Sequence, residues 1–271
     1  MSTWRDATHQ DLAAMWPAAR SAHVFSSLAQ LLVFSDEEPW RVRIASDGAA
    51  VVLRRWRGHL DTLSIRVAWG APWRMHDIVD ESRRLAREHG FADVISPLLA
   101  GPALEAYERA GMHTQCSLYA YTAVPSDVVG ALPEVDGVTL RPGTITDASA
   151  LLALDAKCFN DFWRYGPPEF ETVFGWERVV VAEGATGIVG YSTCAVSGSS
   201  CTLGRLAVDP DARRQGVASA LVRDVAAYAR EQGALGMSLC TQVENVGSQA
   251  LYEAARFRRV GDVYAIAAVP A

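Results

Sequence analysis

The chain has 271 residues, half of them hydrophobic, 21% charged, with a formal net charge of −6 at pH 7. That length suits two domains with substantial cores. The composition excludes disorder, and the acidic balance argues against a general nucleic-acid binder, whose footprint would be basic. No apolar run reaches the roughly 18 residues a membrane span needs, and Met1–Asp6 is too polar to open a secretion signal. Cys116, Cys158, Cys194, Cys201 and Cys240 form no C-x-x-C pair. They read as small buried thiols of a cytoplasmic protein rather than as disulfides or metal ligands, and no metal site is expected.

In chain order, Trp4–Arg20 pairs a short edge strand with an amphipathic helix capped by Asp11, and residues 24–34 form a second helix. Strand patterns follow at Trp40–Ala45, Ala49–Arg54 and Leu60–Trp69, then a helix at Met75–Glu88 stopped by His89–Gly90. A strand at Asp93–Ile95, a helix at Ala103–Ala110 and a strand at Ser117–Ala123 complete this half. Residues 124–137 hold two prolines, two glycines and several acids and read as a linker. Beyond it come a strand at Val138–Arg141, a helix at Asp147–Asp155 and an aromatic-rich region at Phe159–Phe174. Strands at Arg178–Glu183, Gly187–Val196 and Cys201–Val208 lead to a helix at Ala218–Gln232. The last elements are a strand at Leu235–Thr241, a helix at Gly247–Ala255 and a strand at Asp262–Ala268.

The second half repeats the first in residues as well as pattern. Ala86–Arg87–Glu88–His89–Gly90 matches Ala229–Arg230–Glu231–Gln232–Gly233, and Trp4–Arg5 with Asp11 matches Leu140–Arg141 with Asp147. Tyr107–Glu108 and Tyr119–Ala120 match Tyr252–Glu253 and Tyr264–Ala265 at one common spacing. A repeat this long is a duplicated domain. The expected division is 1–123, linker 124–137, and 138–271.

The most informative stretch is Arg213–Arg214–Gln215–Gly216–Val217–Ala218, between an apolar strand with its Asp209–Pro210–Asp211 turn and a helix. Helix N-termini present unpaired N–H groups and the positive end of the dipole, glycine admits close approach, and arginines pair with phosphate oxygens. In the first copy the equivalent is Gly70–Ala71–Pro72–Trp73–Arg74–Met75, without paired arginines and with a proline that removes a donor.

Arg213–Ala218 fits Q/R-x-x-G-x-G/A, and Asn245–Val246–Gly247–Ser248–Gln249–Ala250–Leu251–Tyr252–Glu253–Ala254–Ala255–Arg256–Phe257 resembles N-x-x-(A/S)-x-x-L-Y-E-x-x-G-F. Together, in this order and bracketing a helix and a strand, they resemble the GCN5-related N-acetyltransferases (GNAT), specifically over about residues 138–268. Over 4–122 the likeness rests on the repeat. Arg256 stands where the family has glycine. The resemblance implies an α/β (α+β) protein of two tandem GNAT-like domains, the first degenerate, each a mixed, mostly antiparallel sheet flanked by helices. It implies an acetyl-CoA-dependent N-acetyltransferase acting on a small-molecule or peptide amine. The other reading is a non-catalytic acyl-CoA sensor. Either is expected as a monomer or homodimer, without nucleic acid or membrane.

By the same resemblance, the sheet opens between Leu203–Val208 and Leu235–Thr241. The cofactor's arm bonds to the backbone at Leu206, Ala207 and Val208, and its phosphates meet Arg213, Arg214, Gln215, Gly216, Val217, Ala218 and Ser219. Asn245 and Ser248 also contact the cofactor, and Tyr252 is the general acid. Plainer roles stand beside these: a solvated pair for Arg213 and Arg214, a helix cap for Asn245, a core ring for Tyr252. Where many relatives carry a basic glutamate, this chain has Cys240, a strand cysteine expected to be inert, and Leu203–Val208 holds no carboxylate. Glu183 and Glu244 are the candidate bases, or solvated strand-end acids. All six histidines lie in the first copy. Asp161, Trp163 and Arg164, in the aromatic segment Cys158–Tyr165, are candidates for binding the acceptor, unless that segment only packs on the sheet.

Overall fold

The computed structural model describes residues 3–21, 24, 25, 27–132, 137–185 and 187–271. Along them one order of elements runs twice. The first pass is β1 (Trp4–Asp6), α1 (His9–Ser21), α2 (Leu28–Glu37), β2 (Val42–Ala45), β3 (Ala50–Arg55), β4 (Thr62–Trp69), α3 (Met75–Glu88), β5 (Asp93–Ile95), α4 (Gly101–Arg109) and β6 (His113–Ala123). After α5 (Pro125–Ala131) the second pass is β7 (Thr139–Pro142), α6 (Ala148–Cys158), α7 (Pro167–Trp176), β8 (Arg178–Gly184), β9 (Gly187–Ser197), β10 (Ser200–Val208), α8 (Val217–Glu231), β11 (Gly236–Gln242), α9 (Val246–Ala254) and β12 (Arg258–Pro270). Local physics repeats as well. The Asp11 carboxylate accepts the Thr8 N–H at 2.8 Å and pairs with Arg5. Asp147 accepts the Thr144 N–H at 2.9 Å and pairs with Arg141. Each aspartate so ties a strand to the start of the next helix.

The chain divides into two compact units: Met1–Ser117 with Tyr264–Ala271, and Leu118–Val263. Neither is a contiguous half. The first sheet runs β1-β2-β3-β4-β5 and takes the end of β12 as its sixth strand, with Ala268 opposite Ile95. The second runs β7-β8-β9-β10-β11 and takes the end of β6, with Tyr121 opposite Leu239. Each unit is completed by the last strand of the other repeat.

Residues 124–137, expected as a linker, hold α5, whose Val128 joins the second unit's core along with Leu132. Arg223 of α8 donates to the Val129 and Leu132 carbonyls, at 3.0 Å each. Prolines at helix starts are well tolerated, so Pro125 begins a turn of helix instead of marking loose chain. Residues 133–136 of that segment lie outside those described.

In the second unit the sheet is covered on both faces. On one, Val222, Val225 and Ala226 of α8 and Tyr252 of α9 pack with Leu203, Met237 and Leu239. On the other, Leu151 and Leu154 of α6 and Phe170 and Val173 of α7 pack with Val179, Val181, Tyr191 and Ala207. The first unit buries Ile78, Val79 and Leu85 of α3 against Val51, Leu53, Leu63 and Ile65. Among the described residues no helix is long and apolar enough to cross a membrane.

Candidate active site

The central feature of the second unit is a parting of strands. β10 and β11 run parallel and pair only over Ser200–Thr202 against Gly236–Ser238. Beyond Thr202, β10 stays laddered to β9 as far as Val208, and β11 stays laddered to β6 as far as Gln242. The two facing edges thus lie open. The Asp209 N–H donates to the Val189 carbonyl on the β9 side. Ladder alternation then turns the Ala207 amide groups toward β9 and those of Leu206 and Val208 into the opening. At its outer end the Val208 carbonyl accepts from Arg213 Nε at 3.4 Å and Cys158 Sγ at 3.3 Å.

From Val208 the chain turns over Asp209, which accepts the Asp211 N–H, and reaches α8. Arg214 and Gly216 take left-handed backbone at φ 60° and 85°. Gly216 is the N-cap and offers no side-chain acceptor, so the amides of Val217, Ala218 and Ser219 start the helix uncapped. Arg213, Arg214 and Gln215 are exposed around them, Gln215 Nε2 donating to the Asp211 carbonyl. Uncapped amides, the positive dipole end and two exposed guanidiniums give this turn a donor-rich, positive character suited to an anion.

Across the opening, Asn245 caps α9, its Oδ1 accepting the Ser248 N–H at 3.2 Å. Two turns past that cap, Tyr252 is 5% exposed, its ring 6.1 Å from Tyr121 and 5.8 Å from Phe257. Burial pushes its phenol well above the ordinary value, which keeps the proton on oxygen at neutral pH. The packing and capping roles of Tyr252 and Asn245 are therefore real.

The two carboxylates offered by sequence fare differently. Glu183 lies on β8, two strands away from β10, with Oε1 2.8 Å from Arg141 Nε. It is removed from the opening because the edge strand β7 supplies its partner. Glu244 is exposed in the turn after β11. Cys240 alternates away from buried Leu239 and Thr241 and is exposed on the opposite face of β11.

The segment between α6 and α7 separates the three acceptor candidates. Asp161 and Arg164 pair with one another at 3.0 Å, both outward, and Asp161 is 90% exposed. Trp163 is buried. What fixes this turn is a cluster the sequence reading missed. Asp155 is fully buried on α6, and the Arg205 side chain is 4% exposed on β10. Asp155 Oδ1 accepts from Arg205 Nε at 2.8 Å and from the Tyr191 hydroxyl at 2.5 Å, and Oδ2 accepts the Tyr165 N–H at 2.9 Å. Arg205 Nη2 donates on to the Trp163 carbonyl at 2.7 Å, and the guanidinium lies over the rings of Phe159 and Tyr165. A charged residue inside the apolar run Leu203–Val208 was the available signal, since a strand interior admits arginine only with a buried partner.

The first unit shows the same parting. β4 pairs with β5 only over Thr62–Ser64, and β4 continues to Trp69. The segment that follows it is built differently. Pro72–Arg74 is a turn of 3-10 helix, Arg74 has ordinary helical backbone, and its guanidinium is paired with Asp47 and Asp77. Trp73 is exposed.

Residues 149–257 match the sequence profile of the acetyltransferase (GNAT) family. A comparison with curated proteins finds no match. Among solved structures, a tandem GNAT protein from the clavulanic acid biosynthesis pathway aligns over 100% of this chain and 98% of its own, with a TM-score of 0.70 and 15% identity. A putative acetyltransferase from Pyrococcus horikoshii covers 100% and 89% (TM-score 0.68, 13% identity). A GCN5-related N-acetyltransferase from Sphaerobacter thermophilus covers 99% and 95% (TM-score 0.66, 16% identity). The chain shares the fold of these structures, and within it residues 149–257, which span the strand parting and the uncapped helix, carry the GNAT family signature.

Proposed function

We propose that the second unit transfers an acetyl group from acetyl-CoA directly to an amine of the acceptor. The observation that carries this is the parting of β10 from β11 with the uncapped start of α8 at its outer end. The residues suit the cofactor. The Leu206 N–H and carbonyl and the Val208 N–H, which face the opening, can bond an amide-bearing arm as an added strand would, and Val217, Ala218 and Ser219 N–H with Arg213 and Arg214 can hold a pyrophosphate. When bound, acetyl-CoA supplies an activated thioester.

The chain's own groups then have defined tasks. Tyr252, kept protonated by burial, donates to the departing sulfur, whose proton affinity as a thiolate is lower. Asn245 fixes the helix that carries Tyr252, and its side-chain NH₂ is a donor suited to the arm, with Ser248 beside it. The turn holding Asp161, Trp163 and Arg164 bounds the acceptor's approach, anchored by Asp155 and Arg205. We further infer one cofactor site per chain, because Arg74 and Pro72 stand where the first unit would need free donors. Incubation with acetyl-CoA and a panel of amines, peptides and amine-bearing antibiotics, following thiol release, tests the reading. Turnover with an acceptor is expected. Binding of acetyl-CoA without turnover on any amine would favour a sensor, and no binding would refute both.

A further inference from the structure

Acetyl transfer as proposed needs a group to take the amine's proton, and neither Glu183 nor Glu244 is positioned at the point where the strands part. We propose that Glu177, which precedes β8, is that base. The β10 ladder skips a residue between Leu203 and Arg205, so Gly204 bulges just past the last pair with β11. Gly204 is exposed, at the inner end of the opening. A Cβ at this position would lie 2.9 Å from Glu177 Oε2 and 3.1 Å from Thr193 Oγ1. A side chain here would have to displace the Glu177 carboxylate and press on Thr193.

Thr193 is fully buried on β9, and its hydroxyl has no hydrogen-bond partner among the described residues. It shares its face of the sheet with Tyr191 and Arg205, beneath α6 and α7. Tyr252 belongs to the opposite face, beneath α8 and α9. The phenol and the carboxylate therefore lie on opposite faces of the sheet beside the point where the strands part. This suits a displacement in which the amine and the leaving sulfur exchange protons with different groups. As the amine nitrogen bonds to the carbonyl carbon, its proton passes to Glu177, directly or through one water. As the carbon–sulfur bond breaks, Tyr252 gives its proton to sulfur. Glu177, half-buried, then releases its proton to solvent and Tyr252 recovers one, so protons balance. The Thr193 hydroxyl orients the carboxylate or that water.

The proposal rests on acetyl transfer, and the test separates the two. In the full chain, Glu177 is followed by carboxyl ¹³C NMR across pH, assigned with Glu177→Gln, with and without saturating acetyl-CoA. A carboxylate at this apex loses water when the cofactor enters, so its titration moves upward. A titration unmoved by bound acetyl-CoA overturns the proposal. Calorimetry that detects no acetyl-CoA binding overturns the function beneath it. Thiol release with benzylamine is the second readout. Glu177→Gln should lower the rate by about 10²-fold or more and flatten the acid limb at unchanged acetyl-CoA affinity. Glu177→Asp should recover part of the rate, and Glu171→Gln, on exposed α7 surface, should match wild type. A Glu177→Gln rate within about twofold of wild type, acid limb intact, contradicts the assignment.

Discussion

Replacing Asp155 with alanine removes the acceptor that neutralises Arg205. Both groups are buried, at 0% and 5% exposure, and the carboxylate also accepts from the Tyr191 hydroxyl and the Tyr165 N–H. Breaking a buried ion pair by deleting one partner costs about 3–5 kcal/mol, because the remaining charge is left without compensation. Two further donors are orphaned here, which places the expected loss near the top of that range. For a unit of this size that is a fall of about 10–20 °C in the melting temperature. Because the chain has two units, the effect is best read locally, by hydrogen exchange resolved to unit and segment. The amides of Trp163–Tyr165 should lose protection first, since Arg205 holds the Trp163 carbonyl and Asp155 holds the Tyr165 N–H. Replacing the pair together, Asp155→Leu with Arg205→Met, should recover most of the stability, because no charge is then left buried. A loss under about 1 kcal/mol for Asp155→Ala, or a double variant no better than the single, would refute this reasoning.

Other substitutions test other links. Tyr252→Phe should lower kcat with little change in acetyl-CoA affinity, and a large loss of affinity with unchanged turnover would show the ring to be a binding group only. In the wild type, burial holds the phenol's proton, so no loss of activity from Tyr252 ionisation is expected up to about pH 9. Asp147→Ala should cost about 1 kcal/mol at neutral pH as a lost cap, measured by urea unfolding. Arg141 first, then the Thr144 N–H, holds this carboxyl below its ordinary range. The stabilisation is therefore complete above the unfolded value of about 4 and fades as pH falls through the lowered folded one. The variant's deficit should shrink accordingly in acid; a deficit constant with pH would mean the ionised cap is not its source.

The sequence made the repeat and the uncapped glycine turn before α8 legible because both are local. Arg5 with Asp11 and Arg141 with Asp147 recur as matched caps, and Arg213–Ala218 needs only its own backbone and the helix it opens. The strand parting was an implication of family likeness, and the short β10–β11 ladder gives it geometry. The exchange of β6 and β12 between units was not legible, since a strand's alternation is the same whichever sheet it joins. Asp155 with Arg205, and Glu177 with Gly204, were missed for a related reason. Each pair is far apart in sequence and meets only when α6 or the start of β8 packs across the sheet.

The central claim, one acetyl-CoA site formed by the start of α8, is tested most directly by calorimetric titration of the full chain. One equivalent of acetyl-CoA should bind. Gly216→Val should abolish binding, because a branched side chain is strained at φ 85° and fills the space over the first helical amides. Trp73→Ala, in the first unit's equivalent loop, should leave stoichiometry and affinity unchanged. Two equivalents bound, or Gly216→Val binding as tightly as wild type, would contradict it.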